Sequence, residues 1–209
     1  MASGNSPDAG RRGEVLAAAL QCFVERGVEA ATIQDICSRS GASVGSIYHH
    51  FGSKQGVVAA LVAAGMRDNL AALKTALESA PNAKAAVDGI VASLFDWVES
   101  NPEWARFIYL RTAVPDADVT PVMAEVAQEW TSVVQNMWHT WVDAGELQPV
   151  KPEYFPSLLL GPLHDFARRW LTGQVAGKLS DHVEAFQAAA WSVVGKRTRP
   201  GPVKHPDSR

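Results

Sequence analysis

Residues 32–54 read TIQDICSRSGASVGSIYHHFGSK, and this stretch decides the fold. Thr32 is placed to cap a helix, with Asp35 three residues later to complete a capping-box start. Ile33, Ile36 and Cys37 then fall on one apolar helical face. Gly41 supplies the stop, because the residue just past a helix end often needs positive φ. Ser43 caps a second helix, in which Ile47 and Phe51 form an i, i+4 pair. Gly52 ends it after about two turns, and Ser53 caps whatever follows. Two short amphipathic helices joined by a glycine turn make a helix-turn-helix, whose second helix enters the DNA major groove.

Upstream, residues 1–10 (MASGNSPDAG) are small and polar and are expected to form a disordered tail. The spacing of Leu16, Leu20, Phe23 and Val24 predicts a helix from about residue 12 to 26, stopped by Gly27. Downstream, Val58, Val62, Met66, Leu70, Leu73 and Leu77 recur every three or four residues. They predict one long helix over 53–79, able to link two halves of the molecule. Further helices are expected to end near Ser100, to span 102–113, and to run from Thr120 to Gly145. Two last helices are expected at about 153–172 and 181–195. The tail 196–209 is Pro-rich and basic and reads as disordered. No strand and no internal repeat is evident, so the expected class is all-α.

The 209 residues suit one compact domain or two small ones. Two cysteines give no disulfide framework and no zinc spacing, so Cys22 and Cys37 read as core residues, and no metal or cofactor is expected. No apolar run looks long enough for a membrane span, and the N-terminal apolar stretch lacks a cleavage site. The cytoplasm is the expected compartment. Residues 1–60 carry five basic and five acidic side chains, residues 61–195 are net −7, and residues 196–209 are net +4. The strongly basic footprint of many DNA binders is therefore missing, and the DNA reading rests on the motif.

The motif also carries a resemblance. Thr32, the Gly41 turn, Gly45, Ser46-Ile47-Tyr48, His50-Phe51 and Ser53-Lys54 are similar to the DNA-binding domain of the tetracycline-repressor (TetR-type) family. The similarity extends upstream through Leu16, Phe23 and Arg26-Gly27 and covers roughly residues 11–65. It implies a three-helix DNA-binding domain over 11–65, with the helix-turn-helix at 32–51. A helical ligand-binding and dimerisation domain over 66–195 would follow. By resemblance, Gln34, Val44, Gly45, Ser46 and His50 stand at or beside base-edge positions. Thr32, Ser46, Tyr48 and Lys54 match phosphate-contacting ones, and His49 lies on an outer face of the same helix. The chemistry agrees, since hydroxyls donate to phosphates and Gly45 permits close backbone approach. Val44 departs from the polar or basic residue common there; it can touch a thymine methyl but cannot read guanine.

All seven tryptophans lie beyond residue 96. Trp97, Trp104, Tyr109, Trp130, Met137, Trp138 and Trp141 fall on the helices that build the effector cavity in that family. An apolar, aromatic-lined pocket suits a lipophilic or aromatic effector. Glu99, Glu125, Glu129 and Asp143 nearby favour a lipophilic cation over an anion, if they do not simply form solvated faces. The last two helices offer apolar stripes, Leu159, Leu163, Phe166 and Trp170, then Leu179, Val183, Phe186, Ala190 and Val193. Ala185, Ala188 and Ala189 add a small-residue face. The surplus points to a four-helix contact across a two-fold axis.

Enzyme-like patterns are weaker. Gly41-Ala-Ser43-Val-Gly45 satisfies a nucleophile-elbow pattern but follows a helix rather than a strand. His49-His50 lacks the acid an acyltransferase needs, since Lys54 stands there, and His139 with Asp143 is an ordinary i, i+4 pair. The expectation is a non-enzymatic homodimeric regulator, most simply a repressor. It would bind palindromic double-stranded operator DNA, release it on binding a small effector, and have no membrane partner. The rivals are a DNA-binding dimer without an effector and a helical hydrolase or acyltransferase.

Overall fold

The computed structural model describes residues 7–110 and 119–196. Nine α-helices occur among them: α1 Pro7–Arg26, α2 Ile33–Ser40, α3 Val44–Phe51, α4 Lys54–Glu78, α5 Ala83–Ser100, α6 Pro102–Leu110, α7 Val119–Asp143, α8 Gly161–Leu171 and α9 Val183–Val194. Among the described residues the one β-type pairing is an isolated bridge between Leu147 and Gly195. It pins the end of α9 to the turn after α7. Residues 7–10, expected in the tail, are the first turn of α1. Residues 1–6, the end of the predicted 102–113 helix and the basic tail from 197 onward lie outside the described residues.

The caps are those the sequence signals. Thr32 accepts the Asp35 N–H while the Asp35 carboxylate accepts the Thr32 N–H. Ser43 accepts from Ser46 and Ser53 from Gly56. Gly41 and Gly52 end α2 and α3 at φ of 68° and 72°, where any side chain would be strained.

Two cores result. The N-terminal one gathers Leu16, Leu20 and Phe23 of α1, Ile36 of α2, Ile47 of α3, and Val57, Val58 and Leu61 of α4, with Cys22 and Cys37 both buried and unpaired. The second is built on Leu70, Leu73 and Leu77 of α4, most of the inner face of α5, and Val134, Trp138, Leu163 and Leu179. The 25 residues of α4 reach about 37 Å, so one rod contributes to both cores. That rod is also long and apolar enough, by length and composition, to cross a membrane, contrary to the sequence expectation. Half of the apolar window is buried inside the subunit, as the central helix of a packed core requires.

The second strut between the cores is α6. Phe107 is buried in the N-terminal core and stacks on Phe23 at 5.8 Å, while Trp104 and Ile108 touch both cores. Gly65 lets α4 and α6 approach closely: a Cβ there would stand 2.6 Å from Trp104 Cε3 and 2.8 Å from Ile108 Cδ1. Asp68 accepts the Trp97 indole N–H at 2.8 Å and ties α5 to the same rod.

The predicted helix at 153–172 is interrupted. Residues Pro152–Tyr154 form a 3₁₀ turn and Pro156–Leu160 a π turn before α8 begins. Prolines at 152, 156 and 162 remove three helical N–H donors, and the chain accommodates them by over- and under-winding. Likewise α9 is preceded by a 3₁₀ turn over Leu179–His182.

Candidate functional site

The outer surface of the N-terminal unit is set by α3. Ile47 is 0% exposed and anchors the helix, which turns Val44 (41% exposed), Gly45, Tyr48 (51% exposed) and His49 outward. Ser46 and His50 are half-buried beside them, and the two histidine rings meet edge-on at 5.3 Å. The space where a Cβ on Gly45 would point is open, with Ser43 Oγ at 3.9 Å as its nearest neighbour. Gln34 on α2 is exposed alongside. A short helix thus presents a small, flat, mostly uncharged face at its N-terminal end. Such a face can enter a groove without a steric block.

Two of the expected phosphate contacts are already engaged within the fold. Lys54 Nζ donates to the carbonyls of Val28, Glu29 and Ala31 at 2.8, 3.2 and 3.1 Å. An ammonium has three protons, so Lys54 is a clamp on the loop between α1 and α2, and reaching a phosphate would break that clamp. The Thr32 hydroxyl donates to Asp35 at 2.7 Å as part of the cap.

Most of the basic side chains of this unit are engaged within the fold. Arg11 meets Glu14, Arg26 meets Asp35 at 2.7 Å, and Arg39 forks onto both oxygens of Glu25 at 2.7 Å each. Arg12 lies over the Phe51 ring. Hydrogen bonds from Thr32, helped by Arg26, hold the Asp35 carboxyl below its usual range. The hydrogen bond from Arg39 does the same for Glu25. Burial raises the Cys22 thiol, which keeps it protonated and inert.

The aromatic residues expected to line one effector pocket are divided. Trp97 is a buried strut, Trp104 packs between the two cores, and Trp141 lies against the C-terminal core. Tyr109 faces His164 of α8 at 5.4 Å between ring centres. Burial pushes the Tyr109 hydroxyl up to about 12 and the His164 imidazole down to about 4. Met137 lines a groove with Lys74 and Leu77 on the opposite side of α7. Of that set, Trp130 and Trp138 line one partly open cleft. Its other walls are Thr131, Val134, Gln135, His139, Val150, Phe155 and Pro156. Phe155 meets Trp138 edge-on at 4.6 Å and Trp130 at 5.9 Å. Sequence reasoning missed Phe155 and Val150. The prolines bracketing Phe155 signalled a break there, without showing where the break would fold. Three of the four acids expected to favour a cation are engaged elsewhere. Glu125 and Glu129 pair with Arg67, and Glu99 accepts the Ser180 N–H.

The stripes expected at a subunit interface mostly face inward. Leu159, Leu163 and Ala190 are buried in the subunit's own core. Phe166 and Phe186 stack with each other at 4.7 Å and on the fully buried Phe95. Trp170 donates to Gly177 O, and Val183 packs on the same core. Of the expected set, Leu179 is buried, while Val193 and Ala189 are exposed, the latter on one line with Ala185, Ala188 and Ser192. The large apolar side chains left outside are Leu158 (42% exposed), Val193 (40% exposed) and Tyr154. Ser43, in the elbow-like pattern, is a helix cap rather than a nucleophile on a strand turn.

A helix-turn-helix unit rigidly joined to a larger helical body is the architecture of a one-component transcription regulator. Residues 15–61 match the bacterial regulatory proteins of the tetR family. The chain is 26% identical over 181 residues to the HTH-type transcriptional activator FasR of Mycolicibacterium smegmatis, covering 87% of this chain and 81% of that protein. It is 30% identical over 100 residues to the HTH-type transcriptional repressor KstR2 of Rhodococcus jostii, about half of each chain. The fold superimposes on FadR from Bacillus subtilis in complex with stearoyl-CoA, with TM-score 0.77 over 85% of this chain and 96% of that one at 13% identity. It also superimposes on the fatty acid degradation regulator FadR from Bacillus halodurans, with TM-score 0.76 over the same shares at 17% identity. The N-terminal unit is thus similar to the DNA-binding domain of the tetR family, and the longer chain to HTH-type transcription regulators.

Proposed function

We propose that two copies of this chain bind a palindromic operator in the cytoplasm as a repressor and leave it when a small apolar molecule enters the α7 cleft. The carrying observation is the outward face of α3, where Val44, Gly45 and Tyr48 are exposed around the buried anchor Ile47. The two copies would meet through the outer sides of α8 and α9. Leu158, Val193 and the Ala185–Ala188–Ala189–Ser192 line supply the apolar and small side chains that let helices approach. Their two α3 helices would then address half-sites about 34–36 Å apart.

The effector reading is supported by the aromatic walls of the cleft and by the two struts, α4 and α6, that connect its domain to the reading unit. The FadR neighbour with stearoyl-CoA is in keeping with a long apolar ligand. Repression follows the name of KstR2, matched over about half of the chain. The likeness to FasR favours activation as a second reading, in which the operator lies where it recruits rather than blocks polymerase.

Selection and sequencing of retained DNA fragments, followed by footprinting, tests the core of this. A two-fold symmetric footprint that weakens with effector is expected. Effector affinity must fall by the same factor when operator is present, typically about 5–150-fold. A ligand that binds equally with and without operator would leave a DNA-binding dimer with no effector switch.

A further inference from the structure

Four buried polar side-chain atoms among the described residues have no hydrogen-bond partner: Gln55 Oε1, Asn69 Nδ2, Trp138 Nε1 and His182 Nε2. Of these residues, Trp138 alone lines the α7 cleft. It is 6% exposed, and its indole N–H, which can only donate, is sealed from water in an apolar wall. An unpaired buried donor is unfavourable, and any acceptor brought to it relieves that cost.

The rest of the lining narrows what can bring the acceptor. No Asp, Glu, Lys or Arg lines the cleft, whose other polar walls are Gln135 and His139, so a charge inside it would be desolvated without a fixed counter-charge. Trp130, Val134, Val150 and Phe155 offer apolar and π surfaces. The Thr131 hydroxyl already donates to Ala127 O at 2.7 Å and can only accept. Phe155 directly precedes the π turn Pro156–Leu160, a backbone form common at functional sites.

Building on the effector reading above, we propose that the cleft selects an uncharged, mostly apolar molecule carrying one carbonyl-type acceptor, such as a ketone or ester, whose oxygen receives the Trp138 Nε1–H. A hydrocarbon of the same shape fills the walls but leaves the donor orphaned. Charged amphiphiles can place only their apolar part inside.

The test uses the full-length ¹⁵N-labelled protein and two probes of matched shape, 2-acetylnaphthalene and 2-ethylnaphthalene, which differ by C=O against CH₂. The Trp138 indole resonance is assigned by its loss in Trp138→Phe. The ketone is expected to bind about tenfold more tightly, the worth of one hydrogen bond to an otherwise unpaired donor. It should shift the Trp138 indole proton downfield, and its advantage should vanish in Trp138→Phe. The wild-type affinity ratio of the two probes stands even if that variant folds poorly. Equal affinity for both probes, a surviving preference in Trp138→Phe, shifts centred on another indole, or binding of neither probe overturns the proposal. Operator titration separates the two readings. A ketone seated at Trp138 that leaves operator affinity unchanged supports this site and removes the effector role. A ligand that weakens operator binding without moving Trp138 does the reverse.

Discussion

Lys54 and Gly45 divide the work of the reading unit between holding and touching. Lys54 holds the loop over residues 28–31 through three carbonyls. Lys54→Met should therefore lower stability by about 1–3 kcal/mol, the range for hydrogen bonds from a charged group. Thermal melting would show it, and the salt slope of DNA binding in the folded fraction should stay unchanged. A slope reduced by about one unit per subunit would instead make Lys54 a phosphate contact. Gly45→Ala should do the opposite. Its Cβ meets open space, so the fold should gain about 0.5–1 kcal/mol from reduced unfolded-chain entropy. Operator affinity should fall at least tenfold in a gel-shift titration, because a methyl group would hold the backbone away from the groove. Unchanged affinity would move the reading surface off this turn. The caps at Thr32, Ser43 and Ser53 were legible in the sequence because their partners lie three residues away. The Lys54 clamp was not, since its acceptors lie 23 to 26 positions earlier and only the tertiary turn brings them together.

At the scale of the element, α6 and α8 meet through Tyr109 and His164, and that contact carries a pH dependence. Burial, with Arg168 nearby, lowers the His164 imidazole to about 4 from an ordinary value of 6.5. Between those values the unfolded chain binds a proton that the folded one refuses. Stability is therefore fully present above pH 6.5, falls as pH drops through 6.5, and stops falling on this account near pH 4. The total is on the order of 3 kcal/mol. His164→Phe should flatten that limb in urea melts taken from pH 7 to 4, and an unaltered pH profile would place the acid sensitivity elsewhere. Helix content was readable from periodicity almost everywhere, and boundaries were readable where Gly or an N-cap marks them. The segment 153–172 failed because its Leu and Phe spacing fits a helix while Pro156, Gly161 and Pro162 do not. The prolines decide the winding and the apolar spacing decides only the facing.

For the whole molecule, the question left by the sequence was which apolar stripes serve the subunit and which its partner. Periodicity identifies a face but not what lies against it. The large side chains at 159, 163, 166 and 186 face the subunit's own core, and the outward positions are occupied by Leu158, Val193 and small residues. Leu158→Glu and Val193→Glu should accordingly leave the melting temperature of the isolated subunit nearly unchanged while light scattering reports monomers. Leu163, 2% exposed, should behave differently. Leu163→Glu buries an unpaired charge and should cost several kcal/mol, about 3 or more, and with it the fold. Dimers persisting in both surface variants would put the interface on another face. The effector cleft was half-legible for the same reason. Trp130 and Trp138 stand one face apart on a single helix, whereas Phe155 and Val150 arrive from a segment whose path no local pattern specifies.

The paired charges of the reading unit reach beyond stability. A regulator must locate one address among on the order of 10⁶–10⁹ competing stretches of chromosome. Each wrong stretch attracts it mainly through free cations. Here Arg11, Arg26 and Arg39 are held by acids, Arg12 by a ring and Lys54 by carbonyls. Through this unit, random duplex should hold the protein only briefly, so the unit stores few copies along the genome at any moment. The free pool stays large for a given number of molecules, and a promoter can be controlled by a protein that the cell makes sparingly.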